Sequence, residues 1–204
     1  MLVEEQIKEN KERFIELLNQ ITRPDSDIEG LINKLNRTDF FEAPASTIYH
    51  SSFKGGLCYH SLNVYNRLKQ LIQCHYDNNC PYSEETIIIV SLLHDMSKMN
   101  YYKTDLRNVK NEETGRWEKE PYIKKREPEN RFIYGSHGVN SEFMVHSYIP
   151  LKLEESVAII NHMGNMQMGI NPYDSDITEV FNKYPLALLL HLADMDATFF
   201  DEAF

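Results

Sequence analysis

The stretch IIIVSLLHDMSKM, residues 87–99, ends a nearly unbroken apolar run in His94 and Asp95, with Lys98 one turn further on. A helix this apolar on every face is one that is buried. Burying an imidazole, a carboxylate and an ammonium together is costly unless something compensates. A divalent cation would do so, because it replaces the water that the carboxylate loses. The His and Asp donors suit borderline ions such as Mn, Fe, Co, Ni or Zn. A lone His-Asp dipeptide is a weak motif, and a single histidine in apolar company is more often a hydrogen-bonded core residue than a ligand. The company is what matters here. His60 (GGLCYHSLNVY), His137 (YGSHGVNSEF), His162 (INHMGNM) and His191 (LLLHLADMDA) each lie at or near the end of a different predicted helix. The last of these segments also carries Asp194.

The order formed by His60, His94-Asp95 and Asp194 resembles the H…HD…D pattern of the HD superfamily of metal-dependent phosphohydrolases. GGLCYHSLNVY is similar to the GGL-x-x-H-S/T-L element of that family, and SLLHDMSK to its LLHD-x-x-K element. GSHGVNSEFMV and AIINHMGNM resemble the histidine elements of subfamilies with a second metal, and LLLHLADMDAT resembles the closing LH-x-AD-x-x-A helix. The likeness covers about residues 40–200. It implies an all-α, HD-domain-like helical bundle in which His60, His94, Asp95 and Asp194 hold a first metal. Asp95 would bridge to a second, completed by His137 and His162. The family's second-site segment often has two consecutive histidines, whereas here Asn161 precedes His162.

The resemblance makes Asp95 and Lys98 the catalytic pair, with Lys98 also meeting a substrate phosphate. A plainer role for Lys98 is a cation at a helix C-terminus, where the helix dipole favours it. His50 and Lys54 are further candidates for substrate binding, against a loop hydrogen bond for the first and plain solvent exposure for the second. His191 reads as a supporting or core residue rather than a ligand. The implied activity is hydrolysis of a small phosphate ester, a nucleotide by preference, through metal-activated water. Two alternatives share the pattern: a mixed-valence di-iron oxygenase, and a non-catalytic module that binds a nucleotide through metal. Neither GxGxxG nor GxxxxGK[ST] occurs, so no dinucleotide or P-loop fingerprint competes.

Helical spacing dominates the elements that must position these residues. Val3, Ile7, Phe14, Leu18 and Ile21 form one stripe, ending at Arg23-Pro24. Ser26 or Asp27 could cap a second helix carrying Leu31, Ile32 and Leu35. Residues 38–56 read as irregular, and Leu57, Leu62, Tyr65, Leu68 and Ile72 mark a long helix. Ser83 caps the HD helix, with Glu84 and Glu85 well placed in its first turn. Residues 105–125 are polar and carry a turn signal at 111–115, predicting a small β-hairpin anchored by Trp117, Tyr122 and Ile123. Helical patterns return at 136–149, 153–163 and 185–199, with Pro185 suited to the first position of the last. Met163, Met166 and Met168 read as flexible packing. The expected organisation is one domain over 1–204, with residues 1–36 as a helical appendage and 37–204 as the core.

The chain of 204 residues carries a net charge of −10 with histidine neutral. That disfavours broad nucleic-acid binding but leaves room for one cationic pocket taking a small phosphate substrate. At this length roughly 70% of the unfolded surface can be buried, so disulfides are not needed. Cys58, Cys74 and Cys80 form neither an even set nor a CxxC pair and read as reduced thiols. With no signal-peptide pattern in MLVEEQIKENKERF and no span-length apolar run, the expectation is a cytoplasmic protein without membrane contact. The N-terminal amphipathic helices could also serve a homo-oligomer.

Overall fold

A computed structural model describes residues 2–77, 79–164 and 177–202. The described residues are mostly helical, with one small antiparallel pair of strands. None of their helices is long and apolar enough to cross a membrane. Met166 and Met168 lie outside the described residues.

Polar side chains cap two of the helix starts, at Asp27 and Ser83. Helix α1 runs Glu4–Leu18 and buries Phe14, Leu17 and Leu18. Helix α2, Ile28–Arg37, starts where Asp27 accepts a hydrogen bond from the Gly30 amide at 2.8 Å. Between them and the next helix, Phe40 and Phe41 meet Phe14 edge to face, with centroids 5.1–5.7 Å apart, the arrangement that aromatic quadrupoles favour.

Helix α3, Gly56–Tyr76, is the long helix expected from the stripe at 57–72. The glycine pair explains how it begins. Gly55 sits at φ +82°, which only glycine adopts freely. A Cβ on Gly56 would run into the carbonyl oxygen of Ser51. The loop 45–55 is thereby drawn tight against the first turn of α3, one turn before His60.

Helix α4, Glu84–Leu93, is capped by Ser83, whose Oγ accepts from the Thr86 amide at 3.2 Å. Every residue from Thr86 to Leu93 is buried. It packs against α1, α3 and α6, which is why no face of it is polar. Its one hydroxyl within the apolar run, Ser91, folds back to donate to the Ile87 carbonyl at 2.6 Å. Each such Ile or Leu contributes on the order of 1.5–3 kcal/mol of burial, so α4 is firmly held where it ends at His94.

A 3₁₀ turn, Met96–Lys98, follows, and then strands β1, Tyr102–Lys110, and β2, Trp117–Lys125. They pair antiparallel from Tyr102↔Lys125 to Lys110↔Trp117. The ribbon is fixed at its base, where Arg126 donates to the Tyr102 carbonyl at 2.8 Å and pairs with Asp39 at 3.3 Å. Trp117 does not anchor it. Its backbone pairs with Lys110 at the turn end of the ladder, far from the base, and the residue is 70% exposed. Tyr122 and Ile123, nearer the base, are half-buried.

Helices α5, His137–His146, α6, Leu153–Asn161, and α8, Pro185–Asp196, match the expected segments. Helix α7, Ile177–Lys183, was not expected from the pattern. Pro185 occupies the first turn of α8. Past α8 the chain widens into a π turn, Ala197–Asp201. Cys58 is buried and Cys74 and Cys80 are exposed, all three free.

Candidate metal centre

The fold converges His60, His94, Asp95, His137, His162 and Asp194. His60 comes from α3, His94 caps α4, and His137 opens α5. His162 caps α6, and Asp194 comes from α8. All but His137 are buried. Donor atoms within 4.8 Å of one another form overlapping trios: His60-His94-Asp95, His94-His162-Asp194 and Asp95-His137-His162. These buried groups are suited to metal binding.

The way Asp95 arrives differs from a simple helical delivery. Within a helix, adjacent residues point about 100° apart. Helix α4 stops at Leu93, His94 is its cap, and Asp95 takes φ −106°, ψ +17°. That bridge conformation, sparsely populated and common at active sites, turns Asp95 back beside His94. The carboxylate then reaches every imidazole in the group. Its Oδ2 lies 3.6 Å from His94 Nε2 and 3.7 Å from His60 Nε2. Its Oδ1 lies 3.5 Å from His162 Nε2 and contacts His137 Nε2.

Each imidazole is pinned through its other nitrogen. His94 Nδ1 donates to the Ser91 carbonyl at 2.8 Å, and His162 Nδ1 to the Ile159 carbonyl at 2.7 Å. The same device is used twice, each time by a helix-capping histidine bonding three residues back. His137 Nδ1 lies 3.0 Å from Ser97 Oγ. That hydroxyl also lies 3.2 Å from the His137 carbonyl and accepts from Ser141. His60 Nδ1 faces Glu202, 3.0 Å from Oε1.

The carbonyl acceptors fix the protons of His94 and His162 on Nδ1 and turn their Nε2 lone pairs inward. Nε2 of His60, His94 and His162 is buried with no hydrogen-bond partner among the described residues. His60 Nε2 is 3.2 Å from Asp194 Oδ1 but is not aligned for a hydrogen bond. Acceptors therefore face acceptors around Asp95, an arrangement that only a cation or extra protons relieve. Histidines braced through one nitrogen and open at the other are the usual form of a metal ligand, and the donor set fits a borderline divalent ion.

Charge state agrees with this at His94, whereas metal-free His60 holds a second proton. Burial pushes His94 down to about 3 and also lowers His137, so both rings are neutral near pH 7. Burial works against a charge on His60 too, but Glu202 and Asp194 outweigh it and raise it to about 10. Lys98 and the surrounding imidazoles hold Asp95 well below the ordinary carboxylate range in spite of burial. His60 and its neighbours hold Asp194 low in the same way.

Lys98 Nζ lies 2.6 Å from Asp95 Oδ2, and the pair keeps the ammonium charged despite its burial. Lys98 also lines a cavity of about 510 Å³ beside the cluster, with His50, Asp194, Tyr49, Met195 and Phe199 among its walls. His50 stands with its ring centroid 4.8 Å from that of His60, its Nε2 buried with no hydrogen-bond partner among the described residues. Burial, then His60 and Lys98, lower it to about 4.

The remaining candidates are placed elsewhere. Lys54 is not brought to the cluster; its Nζ is 3.0 Å from Glu4 Oε1, and it lines a separate cavity with Arg126 and Tyr102. Asn161 folds back onto its own helix, donating to the Val157 carbonyl at 2.8 Å. His191 Nδ1 lies 2.6 Å from the His162 carbonyl and its ring stacks on Phe181, so it braces the backbone of a ligand-type histidine. Glu202 escaped the sequence reading. No local pattern marks it, and a π turn separates it from Asp194, so α-helical spacing does not predict where it points.

Compared with protein-family models, curated proteins and solved structures, the chain has no significant match.

Proposed function

We propose that this chain is a metal-dependent phosphohydrolase of HD type that cleaves a small phosphate ester, with nucleotides the favoured class. The observation that carries the proposal is the set of inward, unpartnered Nε2 atoms on His60, His94 and His162 gathered around Asp95 and Asp194. His60, His94, Asp95 and Asp194 would hold one ion, and Asp95, His137 and His162 a second. Bound ions at such a site supply Lewis acidity to phosphoryl oxygens and lower the pKa of water.

The chain's own groups do the rest. Asp95 shares its two oxygens between the two groups of imidazoles. Lys98, held charged and lining the cavity, is placed to donate to a phosphate oxygen. His50 lines the same cavity and is neutral, so it can accept or donate a hydrogen bond to substrate. Among the described residues that line the cavity Lys98 is the one lysine and there is no arginine, which suits a single phosphate better than a polyphosphate. Tyr49, Met163, Met195 and Phe199 give the walls apolar area for a flat leaving group. The sequence charge of −10 argues against long nucleic acids as substrates.

The test couples metal analysis to a phosphoester panel: nucleoside monophosphates, cyclic nucleotides and a generic aryl phosphate. Metal-dependent turnover of at least one class, lost on chelation, is expected. Full activity in metal-free protein sinks the proposal. Tight iron with oxygen uptake and no phosphate release favours a di-iron oxygenase instead. Ligand-raised melting temperature without turnover favours a binding module.

A further inference from the structure

Resting on the metal reading above, the geometry assigns Glu202 as the positioning residue that orients His60 for its ion and makes the turn 197–202 part of the metal centre. Glu202 is buried, and its carboxylate is surrounded by donors. His60 Nδ1 lies 3.0 Å from Oε1, Asn63 Nδ2 donates to Oε1 at 3.0 Å, and Ser51 Oγ donates to Oε2 at 2.6 Å. His94 and His162 are braced by carbonyls of their own helices, and His137 by a hydroxyl. Only His60, among these four, has a full negative charge behind it. A carboxylate behind a ligating imidazole fixes its tautomer and raises its basicity.

Three local features converge to put the carboxylate there. The π turn Ala197–Asp201 carries the chain off the line of α8; such turns recur at functional sites. Arg67 grips Asp201 with two nitrogens, Nε to Oδ2 at 2.7 Å and Nη2 to Oδ1, tying the turn to α3. Ser51 is held at φ +44°, an uncommon conformation for a residue with a side chain, as it gives its hydroxyl to Glu202. The 45–55 loop, α3 and the turn after α8 thus meet on one carboxylate. Glu202 also has an oxygen within 4.8 Å of donor atoms of His50 and His60, so direct ligation is the rival role.

Zinc titration of the full chain, followed calorimetrically and by bound-metal stoichiometry, separates these. For Glu202→Ala the tightest ion should bind roughly 10- to 100-fold more weakly with stoichiometry unchanged. Glu202→Gln, which keeps an acceptor for the Nδ1 proton but not the charge, should fall between wild type and Glu202→Ala. It also serves if the alanine variant does not fold. The nitrogen-15 signature of His60 should report an Nδ1-protonated ring in zinc-loaded wild type and mixed tautomers in the metal-free alanine variant. Unchanged zinc affinity in a folded variant overturns the assignment, as does a stoichiometry lower by one ion, which makes Glu202 a ligand. If Asp201→Asn weakens zinc binding as much as Glu202→Gln, the turn is only a clamp and the assignment also fails. Wild type that binds no zinc or other transition metal would instead refute the metal reading itself.

Discussion

Helix α6 has a buried polar group at each end, and the two are built in opposite ways. Near its N-terminus Glu155 is fully buried, and every neighbour of its carboxylate is a donor. Arg23 donates with Nη1 at 2.6 Å and Nη2 at 2.7 Å, Thr86 Oγ1 at 2.7 Å, and the Lys152 amide at 2.8 Å. At the C-terminus His162 faces Asp95, which is bonded by Lys98 and His137 and otherwise meets the unpartnered Nε2 atoms of His60, His94 and His162. The first network is closed by the chain itself. The second leaves three buried imidazole nitrogens without a partner among the described residues. A buried ion pair is by itself weak grounds for function, and Glu155 shows what a purely structural one looks like in this same protein. Asp95 differs from it in chemistry rather than in burial.

The largest effect that can break this comparison is on metal content. Asp95→Ala removes the carboxylate whose two oxygens face both groups of imidazoles, so bound transition metal should fall to background at both positions in protein prepared without chelator. Helical circular dichroism should persist, because α4 is held by its apolar faces. Elemental analysis checks it; retained metal would mean that Asp95 is as structural as Glu155.

The converse change is Arg23→Ala. It leaves Glu155 buried without its main partner and should cost on the order of 3–5 kcal/mol in unfolding free energy. Metal stoichiometry should not change. Replacing both Arg23 and Glu155 by apolar residues should recover most of that stability, since a buried pair often contributes little net energy. Urea titration with metal analysis reads both outcomes.

Next in size is the effect of metal on stability. At free zinc 100-fold above its dissociation constant, wild type should gain about 2.7 kcal/mol. Arg23→Ala should show the same gain from its lower baseline, and Asp95→Ala none. A gain of equal size in Asp95→Ala would place the ion somewhere other than the cluster.

How much of this was legible in the sequence follows from what each feature depends on. His60, His94, Asp95, His137, His162 and Asp194 were readable because each stands at a recognisable point of a helical pattern, and the order of the segments carried the rest. The caps at Asp27 and Ser83 were readable for the same reason, since capping is local chemistry. Glu155 and Glu202 were not. Their partners Arg23, Ser51 and His60 are more than a hundred residues away, and no local pattern distinguishes them from surface glutamates. Lys54 and Trp117 failed in the opposite sense. Their residue types suggested anion binding and anchoring, but the loop and ribbon that carry them leave both at the surface.

The smallest predicted effect concerns pH, where the two ends of α6 should fail on opposite sides of neutrality. Burial opposes the charge on Glu155, but Arg23, the Lys152 amide and Thr86 outweigh it and hold its carboxyl below the usual range. Its contribution is therefore present above about pH 4.5 and is lost as pH falls through the lowered folded value. His60 is raised to about 10 in the absence of metal. Its contribution is fully present below about pH 6.5 and is lost progressively as pH rises toward 10. Metal-free protein should thus lose stability between about pH 7 and 9. Metal displaces the His60 proton and binds more tightly as that proton leaves, so the loaded protein should lose none of its stability over that interval. Glu155→Gln should flatten the acid side and leave the alkaline side as it was. Melting temperatures of metal-free, zinc-loaded and Glu155→Gln protein from pH 4 to 9 make the comparison. An alkaline loss that persists with zinc bound would mean that the ion does not take the His60 lone pair, and the first metal position would have to be built without it.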